Sequence, residues 1–211
     1  GNDALVLSTT ISNRVDMGVG NDRVYDIATT SGSNVADTLI GGAGNDTLSY
    51  DRATEAMTID VVAGTATMGA VVDIFNGFES LVSGSGNDQI LDNSDGHRLE
   101  GQAGNDTLDG GADVDVLLGG DGNDLLVFDA ADSLIDGGAG IDTLRASSDT
   151  NFALNFVHDS MPKFDGIEVL DVSNNTGYAT LTFDLNSVRQ MSASSDQLWV
   201  KLDGEDTVRL E

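Results

Sequence analysis

Residues 83–145 read SGSGNDQIL, DNSDGHRLE, GQAGNDTLD, GGADVDVLL, GGDGNDLLV, FDAADSLID and GGAGIDTLR, seven nonapeptides in succession with no gap or insertion. The eighth position is Ile90, Leu99, Leu108, Leu117, Leu126, Ile135 and Leu144, always Leu or Ile. The sixth is Asp88, His97, Asp106, Asp115, Asp124, Ser133 and Asp142. A fixed short period marks a repeat architecture in which each unit leans on its neighbours. Each unit reads as a turn followed by a very short strand. Glycine at positions one, two and four permits positive φ and close backbone packing. A three-residue strand can bury only its apolar centre, so an isolated unit is unstable and stacking builds a continuous Leu/Ile column. Nine residues are too few for a strand–helix unit, and glycine at fixed intervals opposes a helix.

The same pattern recurs upstream. GSNVADTLI (32–40) and GGAGNDTLS (41–49) place Asp37 and Asp46 at position six. MGVGNDRVY (17–25) places Asp22 there, and the chain opens at Gly1-Asn2-Asp3, the middle of a unit. A fragment of a longer protein is therefore expected.

Composition narrows the function classes. Asp and Glu number 36 against 9 Lys and Arg, a formal net charge of −27. Nucleic acids and anionic membranes would be repelled by such a surface. A disordered solvating chain would be equally acidic, but 39% of the residues are hydrophobic and glycine punctuates them regularly. The reading that accounts for both is a native state containing cations. There is no cysteine, hence neither a disulfide framework nor a thiolate metal site. No stretch approaches the length of a membrane-spanning apolar segment, so no membrane insertion is expected.

The motif G-G-x-G-x-D-x-U-x, with U a large aliphatic residue, resembles the RTX or haemolysin-type calcium-binding repeat. The resemblance implies an all-β fold, a right-handed parallel β-roll in which two nonapeptides make one 18-residue coil. It also implies Ca2+ between successive turns of one edge, held by position-six carboxylates and turn carbonyls. Carried over residue by residue, the side-chain ligands are Asp88, Asp106, Asp124, Asp142, Asp46, Asp22, Asp115 and Asp37. The turn backbone contributes Gly84, Gly86, Gly101, Gly104, Gly119, Gly122, Gly137, Gly140, Gly42 and Gly44. Asp88, Asp106, Asp124 and Asp142 would form a well-made edge, and His97, Asp115 and Ser133 a degenerate one. Asp22 and Asp46 are expected to extend the well-made edge and Asp37 to begin the other. Hard oxygen donors in a flexible shell suit Ca2+ better than the stricter Mg2+ octahedron, and zinc would want Cys or clustered His. His97 reads as a degenerate turn residue. Thr47, Thr107 and Thr143, at position seven, read as outward-facing strand residues.

The expected organisation is N-terminal turns over 1–49, a β-insertion over 50–82, the main roll over 83–145 and a C-terminal β-cap over 146–211. In the insertion, Met57–Val62 and Val71–Phe75 read as strands of an excursion that covers an edge. Phe78-Glu79-Ser80-Leu81 is similar to a phrase that precedes fresh repeat arrays in related proteins. The cap holds six of the eleven aromatics, Phe152, Phe156, Phe164, Tyr178, Phe183 and Trp199, and a stack of open coils needs such a cover.

The leading expectation is a non-catalytic, monomeric, calcium-binding module that folds on export into millimolar calcium. It would act as a structural, folding and secretion-assisting region of its parent polypeptide, a large secreted or surface bacterial adhesin exported by type I secretion. The phrase Asp165-Gly166-Ile167-Glu168-Val169-Leu170-Asp171 resembles those adhesins. The alternative is a polysaccharide-binding accessory module of an extracellular enzyme, with a glycan or surface ligand, and Trp199 is its candidate sugar platform. An enzyme is disfavoured: H-E-x-x-H and G-x-S-x-G are absent, and Asp203, Glu205 and Asp206 read as a solvated hairpin. Ice binding is disfavoured because position three is mostly Ala, Ser or Asp.

Overall fold

One apolar side chain per nonapeptide has to find its partners in the next coil, and the strand pairing delivers them. The computed structural model describes residues 1–7, 10–26, 35–92, 95–129, 131–147, 152–155, 163–173, 179–183, 188, 191–192, 197–203 and 206–210. Of the residues singled out above, Phe156, Tyr178 and Glu205 lie outside these.

Strands are numbered in chain order. One wholly parallel sheet runs β1 (Ala4–Val6), β3 (Arg23–Tyr25), β5 (Thr47–Ser49), β9 (Ser80–Val82), β11 (Arg98–Ala103), β13 (Val116–Asp121), β15 (Leu134–Ala139) and β18 (Lys163–Asp165). The second begins with β2 (Arg14–Asp16), β4 (Thr38–Ile40), β8 (Val71–Asn76), β7 (Thr65–Met68) and β6 (Met57–Asp60). It continues through β10 (Gln89–Leu91), β12 (Thr107–Asp109), β14 (Leu125–Phe128), β16 (Thr143–Ala146), β19 (Val169–Asp171) and β21 (Trp199–Lys201). The chain alternates between the two, so a pair of nonapeptides forms one coil. The register of the main array steps by 18 residues: Gln89 faces Thr107, Thr107 faces Leu125, and Leu125 faces Thr143. This is the parallel β-roll expected from the repeats.

Between the sheets lie two apolar columns. Leu81, Leu99, Leu117 and Ile135 face Ile90, Leu108, Leu126 and Leu144, all fully buried. Burying one such side chain is worth about 1.5–3 kcal/mol, so the fold is sustained by the column and not by any one turn. Close coil spacing depends on glycine at position four. Gly104 and Gly122 have φ of 128° and 144°, and a Cβ on either would collide with the carbonyl oxygen of Gly86 or Gly104 in the preceding coil.

Residues 50–82 are not an edge-covering flap. β6, β7 and β8 form an antiparallel meander spliced into the second sheet, with β8 parallel to β4 and β6 parallel to β10. Alternation decides this: Met57, Ile59, Ala66, Met68 and Phe75 all turn one face inward and are buried, so the meander must share the core of the roll.

Nor does the roll stop at Arg145. β18 pairs with β15, β19 with β16, and β21 with β19. A third parallel sheet, β17 (Phe152–Asn155), β20 (Ala179–Phe183) and β22 (Thr207–Leu210), is added there. Its register steps by 27 residues, with Phe152 opposite Ala179 and Thr180 opposite Thr207. From β16 to β20 the chain visits the second, third, first, second and third sheets in turn, so the coil gains a third strand. Aromatic packing marks this passage: the Phe128 and Phe164 rings meet edge-on at 5.7 Å. Val188 and Met191 are helical, and the buried Met191 accepts the Ile167 N–H through its carbonyl.

Leu117→Ala should lower the unfolding free energy of the calcium-loaded chain by about 2–5 kcal/mol. Val114→Ala, at a residue 58% exposed, should change it by no more than about 0.5 kcal/mol. Chemical denaturation in saturating calcium measures both.

Candidate metal centre

The turns of the roll fall on two edges, one leading into the eleven-stranded sheet and the other into the eight-stranded sheet. On the first edge the sixth-position carboxylates form a ladder. Asp106 Oδ1 accepts the Asp88 N–H, Asp124 Oδ1 that of Asp106, and Asp142 Oδ1 that of Asp124, each at 2.8 Å. Asp88 Oδ1 accepts the Met57 N–H at 2.9 Å. Glu168 closes the series by accepting the Asp142 N–H at 3.0 Å.

The second edge carries a matching but separate ladder. Asp22 accepts the Asp3 N–H at 2.6 Å, Asp46 that of Asp22 at 2.7 Å, and Glu79 that of Asp46 at 2.7 Å. Farther along, Asp115 accepts the His97 N–H at 2.7 Å and Asp132 that of Asp115 at 3.2 Å. Asp22 and Asp46 therefore do not extend the Asp88–Asp142 edge. β3 and β5, which they precede, belong to the eight-stranded sheet with β11 and β13. Asp37, which precedes β4, lies instead on the edge of Asp88. The well-made turns change edge across the insertion.

Each ladder aspartate spends one oxygen on a backbone N–H. The other oxygen, Oδ2, of Asp22, Asp46, Asp106, Asp115, Asp124 and Asp142 is buried and accepts no hydrogen bond. A dry carboxylate oxygen with no donor is costly. Backbone oxygens converge on the same places. A Cβ built on Gly101 would lie against Asp106 Oδ2 and 2.7 Å from the Gly119 carbonyl oxygen. One on Gly119 would meet Asp124 Oδ2 and, at 2.5 Å, the Gly137 carbonyl; one on Gly137 would meet Asp142 and the Gly166 carbonyl. The first glycine of each turn thus keeps open a cradle of carboxylate and carbonyl oxygens, the hard donor set that fits Ca2+. Gly84 differs, because its own N–H donates to Asp88 Oδ2 at 3.1 Å. Gly86, Gly104, Gly122 and Gly140 stack at position four, as Gly44 does on Gly20, and Gly42 stacks on Gly18 at position two.

Position five was silent in the sequence reading. The Asn105 N–H donates to Asn87 Oδ1, Asn123 to Asn105 and Ile141 to Asn123, each at 2.8 Å. This asparagine ladder runs opposite to the aspartate one, so each Gly-Asn-Asp turn is tied both ways. The recurrent Asn before Asp was its signal. Glu79 and Glu168 close the two ladders from turns of one design. Each follows a glycine at positive φ, Gly77 at 67° and Gly166 at 61°, and a buried Phe78 or Ile167.

Two further groups were not anticipated. Asp26, Asp37 and Asp73 are buried together, with the Tyr50 hydroxyl 3.2 Å from Asp73 Oδ2. Burial and the neighbouring Asp73 and Asp37 charges raise the Asp26 carboxyl to about 8. Asp92, His97 and Asp115 form the second group, with His97 Nδ1 at 2.5 Å from Asp92 Oδ2.

Electrostatics sets the cost of the first edge. Burial, together with adjacent ladder charges, lifts Asp106 and Asp142 to about 7 against the partial relief of their N–H donors. Asp124 is raised too, chiefly by burial. Unfolded aspartates titrate near 3.9, so between about 4 and 7 the folded chain binds more protons than the unfolded one. The calcium-free roll is thus stabilised as pH falls through that window and loses that stability as pH rises. In chelator, far-UV circular dichroism should show β-structure growing between pH of about 8 and about 5. Asp106→Asn should reduce the dependence. Loss of β-signal on acidification would contradict the assignment.

A family model of the RTX calcium-binding nonapeptide repeat matches the chain in four copies, over residues 31–51, 93–126 and 129–152. No curated protein sequence matches. The motif, the 18-residue coil and the oxygen-lined turns agree with that match. The chain carries an RTX domain, a β-roll whose nonapeptide repeats bind Ca2+ at multiple sites.

Proposed function

We propose that this chain is a non-catalytic folding module of a secreted or surface-attached bacterial adhesin, unfolded where calcium is scarce and driven into its roll by millimolar calcium after export. The observation that carries this reading is the row of buried carboxylate oxygens that accept no hydrogen bond. With a net charge of −27 and one apolar side chain per repeat, burial alone is a weak counterweight to chain entropy and carboxylate repulsion. Bound Ca2+ supplies the positive charge that makes the rows stable, so its binding free energy becomes folding free energy.

The assigned side chains are Asp88, Asp106, Asp124 and Asp142 on the first edge and Asp22 and Asp46 on the second, with Glu168 and Glu79 closing the rows. The carbonyls of Gly119, Gly137, Gly166 and Gly77 face the same cradles. Asp37 and Asp115 stand among different neighbours. Extracellular modules bind calcium at about 10⁻⁴–10⁻³ M. Tenfold above that constant each independent site contributes about 1.4 kcal/mol, and far below it almost nothing. This difference would keep the chain unfolded before export and fold it outside.

A second reading, an accessory module that binds polysaccharide, is favoured by Trp199. It is 67% exposed in β21 and shares its outward face with the exposed Lys201. An aromatic platform beside a cation suits an acidic sugar. Glycan-array binding lost in Trp199→Ala would favour it over the adhesin module.

Calcium titration followed by far-UV circular dichroism tests the first reading. At pH of about 8 the chelated chain should lack the β-signal and acquire it cooperatively as calcium is added. Asp106→Ala and Asp124→Ala should each move the midpoint severalfold upward, and Val114→Ala should leave it in place. A full β-signal without calcium, or equal midpoints throughout, would sink the proposal.

A further inference from the structure

The nonapeptide that begins at Asp92 departs from the motif at positions one and six. Where the motif has glycine at position one it has Asp92, and where the motif has aspartate at position six it has His97. The two exchanges are reciprocal: a carboxylate is gained at position one and an imidazole replaces the carboxylate at position six. One ligand atom each from Asp92, His97 and Asp115 lies within 4.8 Å of the others. We propose that Asp92, His97 and Asp115 form a site for one borderline divalent ion of the zinc class, chemically distinct from the calcium positions.

The geometry holds the donors together before any ion arrives. His97 Nδ1 is 2.5 Å from Asp92 Oδ2, and their side chains are 12% and 0% exposed. Asp115 is fully buried. Its Oδ1 accepts the His97 N–H at 2.7 Å, whereas its Oδ2 accepts none. Gly110 leaves that oxygen approachable, since a Cβ there would stand 2.6 Å from it. The partial exposure of His97 provides a route in from solvent.

The donor set selects the ion. Calcium takes oxygen ligands, whereas an imidazole with two carboxylates suits zinc and its first-row neighbours. Three protein donors leave a fourth position to water. Binding is balanced by one proton: the ion takes the place of the proton shared by His97 Nδ1 and Asp92, which passes to solvent. The first-edge turns of Asp106, Asp124 and Asp142, with glycine at position one and aspartate at position six, offer only oxygen and remain calcium positions.

The test uses the full chain in saturating calcium, titrated with zinc chloride by calorimetry. One saturable zinc equivalent is expected, absent in His97→Gln and His97→Asp, while calcium-dependent circular dichroism stays as in the parent. The chain has two histidines, so imidazole ¹H–¹⁵N spectra of the unaltered protein give an independent reading: zinc must shift the His97 ring. No zinc uptake at calcium saturation, an unmoved His97 ring, or the same uptake in His97→Gln would overturn the site. None of these results alters the calcium titration on which the folding proposal rests.

Discussion

Rows of carboxylates one coil apart are the constraint on which the rest of this molecule depends. Each aspartate uses one oxygen to pin the backbone of the preceding coil, which fixes the spacing and register of the roll. That bond leaves the second oxygen buried and unsatisfied at Asp106, Asp124 and Asp142. The arrangement that orders the backbone is thus the one that repels itself electrostatically. Glycine at the head of the turn keeps an oxygen-lined cradle in front of the repelling group, and a hard divalent cation resolves the conflict. Architecture and ion binding therefore draw on the same residues.

The insertion has a consequence for how this constraint is distributed. Because β6, β7 and β8 all lie in one sheet, the chain crosses back only once between β5 and β9. The next well-made turn, at Asp88, then feeds the opposite sheet from the turn at Asp46. Two of its carboxylate ladders, on opposite edges, are each closed by a glutamate whose longer side chain reaches from a shortened turn, Gly77-Phe78-Glu79 or Gly166-Ile167-Glu168. Past Ala146 the coil widens, and successive strands of the third sheet lie 27 residues apart, against 18 in the main array.

Much of this was legible in the residues. Nonapeptide phase at Leu99, Leu108 and Leu117 fixed the strand centres, and the phased aspartates located the main ladder, because both are strictly local and periodic. The edge occupied by Asp22 and Asp46 was not legible, since GGAGND reads the same on either side. Only the number of strands in the insertion sets the parity. Met57, Ile59 and Ala66 showed strand alternation but not which core they would share. The ladder-closing roles of Glu79 and Glu168 depend on contacts 33 and 26 residues away, outside the repeat period. His97 was read as mere degeneracy because its partner, Asp92, occupies a glycine position of the motif.

The most direct test follows the ladder amides themselves. The backbone N–H groups of Asp88, Asp106 and Asp124 donate to the next coil's carboxylates, so their hydrogen exchange reports whether the rows survive without cations. In saturating calcium these amides should be protected to the level of the Leu/Ile core, and exhaustive chelation should abolish that protection together with that of the core. Protection that persists unchanged in the chelated chain would contradict the account.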